Sequence, residues 1–285
     1  MIDTLVFSGG GMKIIFFLGL LKYLEENELI NNINTFIGSS AGSIISLLIS
    51  INLNSDDLIK ILNNIDINNF TNFTNNFDIM NILDNYGLFD FDYISNMISI
   101  IIKNKLNLNN LDEFTFKKHY EITNKKIKII GSNITDNKSE CFSIDDTPDM
   151  KILDSIIISC NVPLLFKKVE YNNKLYSDGG LFNHYPIKHS DNLDTTLGIY
   201  LKIKYNDCDS LLNYILNILN ILYDKELNNL DNKYKLNTIF LDSDIDFYDF
   251  DINKDTINKC IDIGYNYSKT FIQEHSDFKK LIKES

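Results

Sequence analysis

Short apolar runs alternate with longer amphipathic stretches along most of this chain, and their boundaries fall largely on glycine, asparagine and proline. Residues 4–8 are an apolar run closed by Gly9, Gly10 and Gly11, the pattern of a buried strand entering a glycine turn. Residues 13–28 have helical spacing, with Phe17, Leu20, Leu21 and Leu24 on one face and Lys22, Glu25 and Glu26 opposite. A second short strand is predicted over 35–38. It runs into Ser39-Ser40-Ala41-Gly42, and residues 44–51 continue almost wholly apolar, as a helix buried on every side would. The stretch 52–111 reads as helix and loop, with an Asn/Phe/Thr-rich surface loop over 68–77 and one amphipathic helix over 91–106.

Further along, a strand is predicted at 127–133 with a hairpin partner at 140–144, then a short helix at 152–159 ended by Val162-Pro163. Segments 167–171 and 174–176 flank Asn172-Asn173, a turn dipeptide that joins two strands. Asp178-Gly179-Gly180 follows. The rest reads as strand 196–203, helix 211–223, strand 238–241 and mostly helix over 255–282. Strands alternating with helices imply a three-layer α/β/α fold around a mostly parallel sheet covered on both faces. Without an internal repeat or a Pro/Gly/Ser-rich linker, one domain is the simpler organisation.

Composition narrows the function classes. The chain has 285 residues, 44% hydrophobic and 23% charged, enough to bury a substantial core. A formal net charge of −12 argues against nucleic-acid binding, which needs clustered positive charge. It also argues against adhesion to an anionic membrane driven by the whole-protein field. One local basic stretch, Lys117, Lys118, Lys125, Lys126 and Lys128, reads either as solvated surface or as a docking patch for a lipid surface or an acidic partner.

The four cysteines (Cys141, Cys160, Cys208, Cys260) show no pairing or metal-ligand spacing, as expected of reduced thiols in an intracellular protein. The start, Met1-Ile2-Asp3, carries no secretory pattern, and the longest apolar run, 14–21, is shorter than the ~20 residues a bilayer demands. Asn, Ile, Asp and Lys dominate, Arg and Trp are absent, and Ala41 is the single alanine. Residues that resist so strong a drift invite inspection.

Gly38-Ser39-Ser40-Ala41-Gly42 is a G-x-S-x-G sequence between a strand and a helix, the nucleophile-elbow pattern. Only small side chains fit beside such a turn, and Ala41 stands there. Gly9-Gly10-Gly11 with Lys13 can turn several N–H groups toward one point, which suits an oxyanion or a phosphate. The spacing matches neither a Walker loop nor a dinucleotide fingerprint. Lys13 reads as a surface lysine of the first turn or as a cation supporting that loop. Asp178, followed by Gly179 and Gly180, supplies the carboxylate that a serine nucleophile needs.

These three elements, in this order, resemble the patatin-like phospholipase family. Gly19-Leu20-Leu21, the segment from Ser159 to Phe166, and Asn183 with Pro186 match as well. The resemblance covers about residues 4–190. It implies a patatin-like domain over 1–285, with a motif-bearing core over about 4–205 and a helical part over about 206–285. It further implies a lipid acyl hydrolase of phospholipase A type, with Ser40 as nucleophile and Asp178 as base. The oxyanion hole would be built at Gly9, Gly10, Gly11 and Lys13, and neither cofactor nor metal is required.

The implied partner is a phospholipid or another acyl lipid, with peripheral membrane contact. The alternatives are acyl transfer by the same dyad and a lipid- or partner-binding pseudoenzyme. Two departures stand out: Lys13 replaces the family's arginine, and Ile14 replaces its usual glycine, which would narrow the loop or touch an acyl chain. A histidine triad would need His184, His189 or His275. All three follow Asp178 closely or lie in polar sequence, and they read as surface or supporting residues.

Overall fold

The computed structural model describes residues 2–64, 84–202, 204–205, 207–208, 211–242 and 254–274. The loop expected over 68–77, His275 and the helix expected beyond residue 274 lie outside the described residues. In chain order the first strands are β1 (Thr4–Phe7), β2 (Thr35–Ser39), β3 (Gly87–Phe89), β4 (Lys126–Asn133) and β5 (Lys138–Ser143). They are followed by β6 (Leu164–Phe166), β7 (Val169–Tyr171), β8 (Lys174–Ser177), β9 (Thr196–Leu201) and β10 (Thr238–Leu241). The helices are α1 (Ile15–Glu26), α2 (Ala41–Ser50), α3 (Ser55–Asn64), α4 (Asp92–Leu106) and α5 (Phe116–Thr123). After them come α6 (Ile152–Ser159), α7 (Gly180–Asn183), α8 (Leu211–Asn228), α9 (Asn232–Leu236) and α10 (Lys254–Glu274).

The main sheet runs β10-β9-β1-β2-β4-β8-β7, with β5 also paired to β4. The five strands from β10 to β4 are mutually parallel, and β5, β8 and β7 extend them antiparallel. In β1, Leu5 and Phe7 join the large core beneath α1, α2 and α10, while Val6 joins the smaller cluster of Ile37, Tyr185, Ile187 and Tyr200 on the opposite face. That division makes the predicted three layers, the mostly parallel sheet being apolar on both sides as parallel sheets are. The hairpin turns at Asn172 and Asn173, with φ of 50° and 61°, as a turn demanding two left-handed residues requires.

Register positions the loops. Phe7 pairs with Gly38, so the glycine turn after β1 and the serine turn after β2 leave the sheet side by side. β1 lies between β2 and β9, where connections diverge to either side, and crevices at the carboxyl ends of such strands hold ligands. β8 arrives from the other direction and stops at Ser177, paired with Ser132. This brings Asp178 to the same edge.

The helix predicted over 13–28 begins as a 3-10 turn, Gly11–Ile14, before α1 proper. Gly19 on α1 and Gly264 on α10 let the two helices cross backbone to backbone. A Cβ on Gly264 would run into the Phe16 carbonyl, and one on Gly19 into the Ile261 carbonyl. Gly264→Val is therefore expected to destabilise the fold by about 1–3 kcal/mol or more, since neither backbone can yield. The check is the midpoint of urea unfolding at unchanged slope.

Candidate active site

Ser40 is the N-cap of α2 with φ 52° and ψ −128°, a backbone conformation that side-chain-bearing residues avoid. The strain is held by close packing on both sides. A Cβ on Gly38 would collide with the Gly42 carbonyl, and one on Gly42 would lie 2.5 Å from the carbonyl oxygens of Phe7 and Ser8. The Ser43 hydroxyl donates to the Ser40 carbonyl at 2.6 Å. The Ser40 N–H donates to Ser159 Oγ at 2.9 Å, so the turn is fixed from α6 as well as from its own helix.

The segment after α6 also positions the aspartate. Gly179 N–H donates to the Ser159 carbonyl at 3.0 Å and Asp178 N–H to the Asn161 carbonyl at 2.8 Å. Residues 159–161 thus strap the serine turn to Asp178, which gives a physical reason for the Ser159–Phe166 motif. Asp178 is 1% exposed, and its Oδ1 accepts from Gly180 N–H at 2.7 Å. Desolvation pushes its pKa up to about 7; the neighbouring Ser40 hydroxyl and the Gly180 N–H pull against that rise. No hydrogen bond of standard geometry joins Ser40 to Asp178, and Oδ2 has no partner among the described residues. Such contacts in ligand-free sites often tighten only when substrate arrives.

The glycine turn splits its amides between two tasks. Gly9 N–H donates to the His184 carbonyl at 3.0 Å, so this amide is engaged in the fold. Gly11, at φ 51°, begins the 3-10 turn in a region that favours glycine. Its N–H and that of Met12 lead that turn, where a helix leaves its amides without an intrahelical acceptor. Lys13 is not on the surface as one reading had it. It is 3% exposed, and its Nζ donates to the Lys202 carbonyl at 3.0 Å beyond β9.

On one side of this turn lies an apolar cavity of about 210 Å³. Ser40 and Gly11 stand in its wall with Ile14, Leu18, Leu58, Ile98 and Leu165. Ile14 and Leu18 therefore line the cavity, whereas Phe16 and Phe17 are plain core.

His184 is buried beside the site rather than at the surface. A Cβ on Gly9 would lie 2.7 Å from its Cε1 and 3.3 Å from Ser40 Cβ, and one on Gly180 3.1 Å from its Nδ1. Its ring stacks on Tyr223 at 3.9 Å. Burial, and after it the charge of Lys13, push its pKa down to about 3, so the imidazole is neutral. Its backbone is held by Glu226, which accepts from His184 N–H at 2.7 Å and Tyr185 N–H at 3.2 Å.

Glu226 thereby braces the turn whose carbonyl grips Gly9. Sequence alone offers no signal for it, because it lies 42 residues from His184 on an unrelated helix. Glu226→Ala, which strips two backbone amides of their acceptor, is expected to cost about 1–3 kcal/mol, with Glu226→Gln milder. Thermal unfolding of both variants checks this.

The basic stretch is largely neutralised. Lys118 pairs with Glu121, Lys126 with Asp145 and Lys128 with Asp191, while Lys125 donates to Asn52. Among the described residues no group of three His, Cys, Asp or Glu side chains is arranged to hold a metal ion. No described helix is long and apolar enough to cross a membrane.

A strained serine turn, an adjoining buried carboxyl and a glycine turn thus meet at one sheet edge of an α/β fold. The family model for patatin-like phospholipases matches residues 5–190, and this chain belongs to that family. It is 37% identical over 185 residues to a probable lipid hydrolase, 463L, of Invertebrate iridescent virus 6, covering 65% of this chain and 61% of that protein. It is also 31% identical over 200 residues to the uncharacterized protein R571 of Acanthamoeba polyphaga mimivirus, covering 70% and 65%. The chain thus spans less than two-thirds of either relative.

Two solved structures share the fold. VipD from Legionella pneumophila superposes with a TM-score of 0.64 at 16% identity, over 96% of this chain and 67% of VipD. The type III effector protein ExoU gives 0.53 at 14% identity, over 96% and 53%.

Proposed function

We propose that this chain hydrolyses fatty-acyl esters of lipids, as a phospholipase A-type enzyme, through a Ser40–Asp178 dyad. The observation that carries this reading is the apolar cavity that opens on Ser40, beside a buried carboxyl poised near neutrality. An acyl chain fits the cavity, and its ester carbonyl then meets Ser40 Oγ. Asp178 takes the hydroxyl proton as Oγ bonds to the carbonyl carbon. In this reading the amides of Gly10 and Gly11, with the N-terminus of α2, stabilise the oxyanion, and Gly9, whose N–H is bonded to the His184 carbonyl, shapes the turn.

Collapse of the tetrahedral intermediate expels the alcohol, which leaves with the proton held by Asp178. Water, deprotonated by the same carboxylate, then attacks the acyl carbon; the Oγ–acyl bond breaks, Asp178 returns the proton to Ser40 Oγ, and the fatty acid leaves. Lys13, a positioning residue in this scheme, ties the glycine turn to the end of β9. The relative 463L, described as a probable lipid hydrolase, is consistent with this substrate class.

The test is a panel of phospholipids, neutral lipids and p-nitrophenyl esters of increasing acyl length. Turnover is expected to rise with acyl length as the cavity fills. Absence of turnover of every ester by the folded protein would sink the proposal.

A further inference from the structure

Helix α8 is apolar on two opposite faces. Leu216, Leu219 and Tyr223 face inward and pack with Val162 and Leu165. Outward, Tyr214, Ile218, Ile221 and Leu222 are 54%, 43%, 56% and 43% exposed, a single stripe at helical spacing. Residues 211–223 contain no Asp, Glu, Lys or Arg, in a chain whose net charge is −12. Phe182 on α7, which packs against α8, and Leu164 beside Leu165 add exposed apolar surface nearby. Contiguous exposed apolar surface marks an interaction site.

We infer that the outer stripe of α8 seats the protein on a neutral or zwitterionic lipid surface and brings the cavity mouth to it. Continuity supports a lipid occupant: Val162 and Leu165, against which α8 packs, also line the apolar cavity. Asn220 and Tyr223 of the same helix border Gly9 and Gly10.

Charge selects the kind of lipid. The face is uncharged over residues 214–222, with the exposed Lys225 following one turn on, and the negative field of the whole chain repels an anionic surface. Lys118, Lys126 and Lys128 do not offset this, because each is paired to a carboxylate. With no described helix able to cross a membrane, the helix lies in the interface plane rather than through it.

The inference rests on the proposed lipid substrate, but its test is separable. Full-length protein is sedimented with phosphatidylcholine vesicles, alone and with added anionic lipid, comparing wild type with Ile218→Asn/Ile221→Asn. The double variant is expected to bind vesicles about tenfold or more weakly, and anionic lipid to weaken wild-type binding. Turnover of a short soluble p-nitrophenyl ester should stay unchanged in the variant, while vesicle hydrolysis falls with binding. Failure of wild type to bind neutral vesicles, or equal binding by the variant, overturns the inference. So does a wild-type dimer in sedimentation velocity that the variant loses, since the stripe would then seat a second copy. Vesicle binding with no ester turnover at all would instead count against the hydrolase reading.

Discussion

Ser40→Ala is expected to remove ester hydrolysis by about 10⁴-fold or more, the scale seen when a hydrolase loses its nucleophile, and to abolish labelling by a fluorophosphonate probe. The reason is local. The strained backbone at Ser40 presents one hydroxyl at the junction of the cavity and the buried carboxyl. The neighbouring hydroxyls of Ser39 and Ser43 are turned into the protein; Ser43 is bonded to the Ser40 carbonyl, and neither lines the cavity. Because alanine retains the tight turn, the variant should fold, and circular dichroism with unfolding midpoints confirms that loss of turnover is loss of chemistry. Wild-type turnover in Ser40→Ala would refute the assignment.

Asp178→Asn is expected to cut turnover by about 10⁴-fold or more and, above neutral pH, to make the protein more stable. The sign follows from proton counting. Burial raises the carboxyl from 3.8 to about 7 in the folded state, so between those values the folded protein holds a proton that the unfolded chain has released. Stability from this group is complete below about pH 4 and is lost as pH rises through 7. Asparagine carries no such charge, and at pH 8 the variant should gain roughly 2–4 kcal/mol over wild type, read from urea unfolding at pH 5 and pH 8. Wild-type activity should rise through about pH 7, because only the carboxylate can accept the serine proton. A flat pH–rate profile, or equal wild-type and variant stability at pH 8, would show that Asp178 is not a buried base.

Much of this was legible in the chain because it rests on local rules. β1, β2, β4 and the 169–177 hairpin follow from apolar runs and turn residues, and the glycines at 38, 42 and 179 stand where a Cβ would strike backbone. What escaped depends on contacts far apart in sequence. β3 and β6 are three residues each, too short for any periodicity, and they pair across 77 residues of chain. Lys13 resembles a surface lysine until Lys202, just past β9 and nearly 190 residues on, supplies a carbonyl for its amine. His184 reads in sequence as a surface or supporting residue, and packing against Gly9, Gly180 and Tyr223 buries it beside the site. Glu226 has no local signature at all.

The crossing of α1 and α10 at Gly19 and Gly264 bears on where this protein can be cut. The family-matching region ends at residue 190, but β9, β10 and α10 come later. β9 is a hydrogen-bonded neighbour of β1, and α10 covers the bare backbone that Gly19 leaves on α1. A fragment ended at residue 190 would open a sheet edge beside the glycine turn and unroof the helix that follows it. The border of the family match and the border of the folding unit differ here: the segment after residue 190 closes the core beneath the serine and glycine turns.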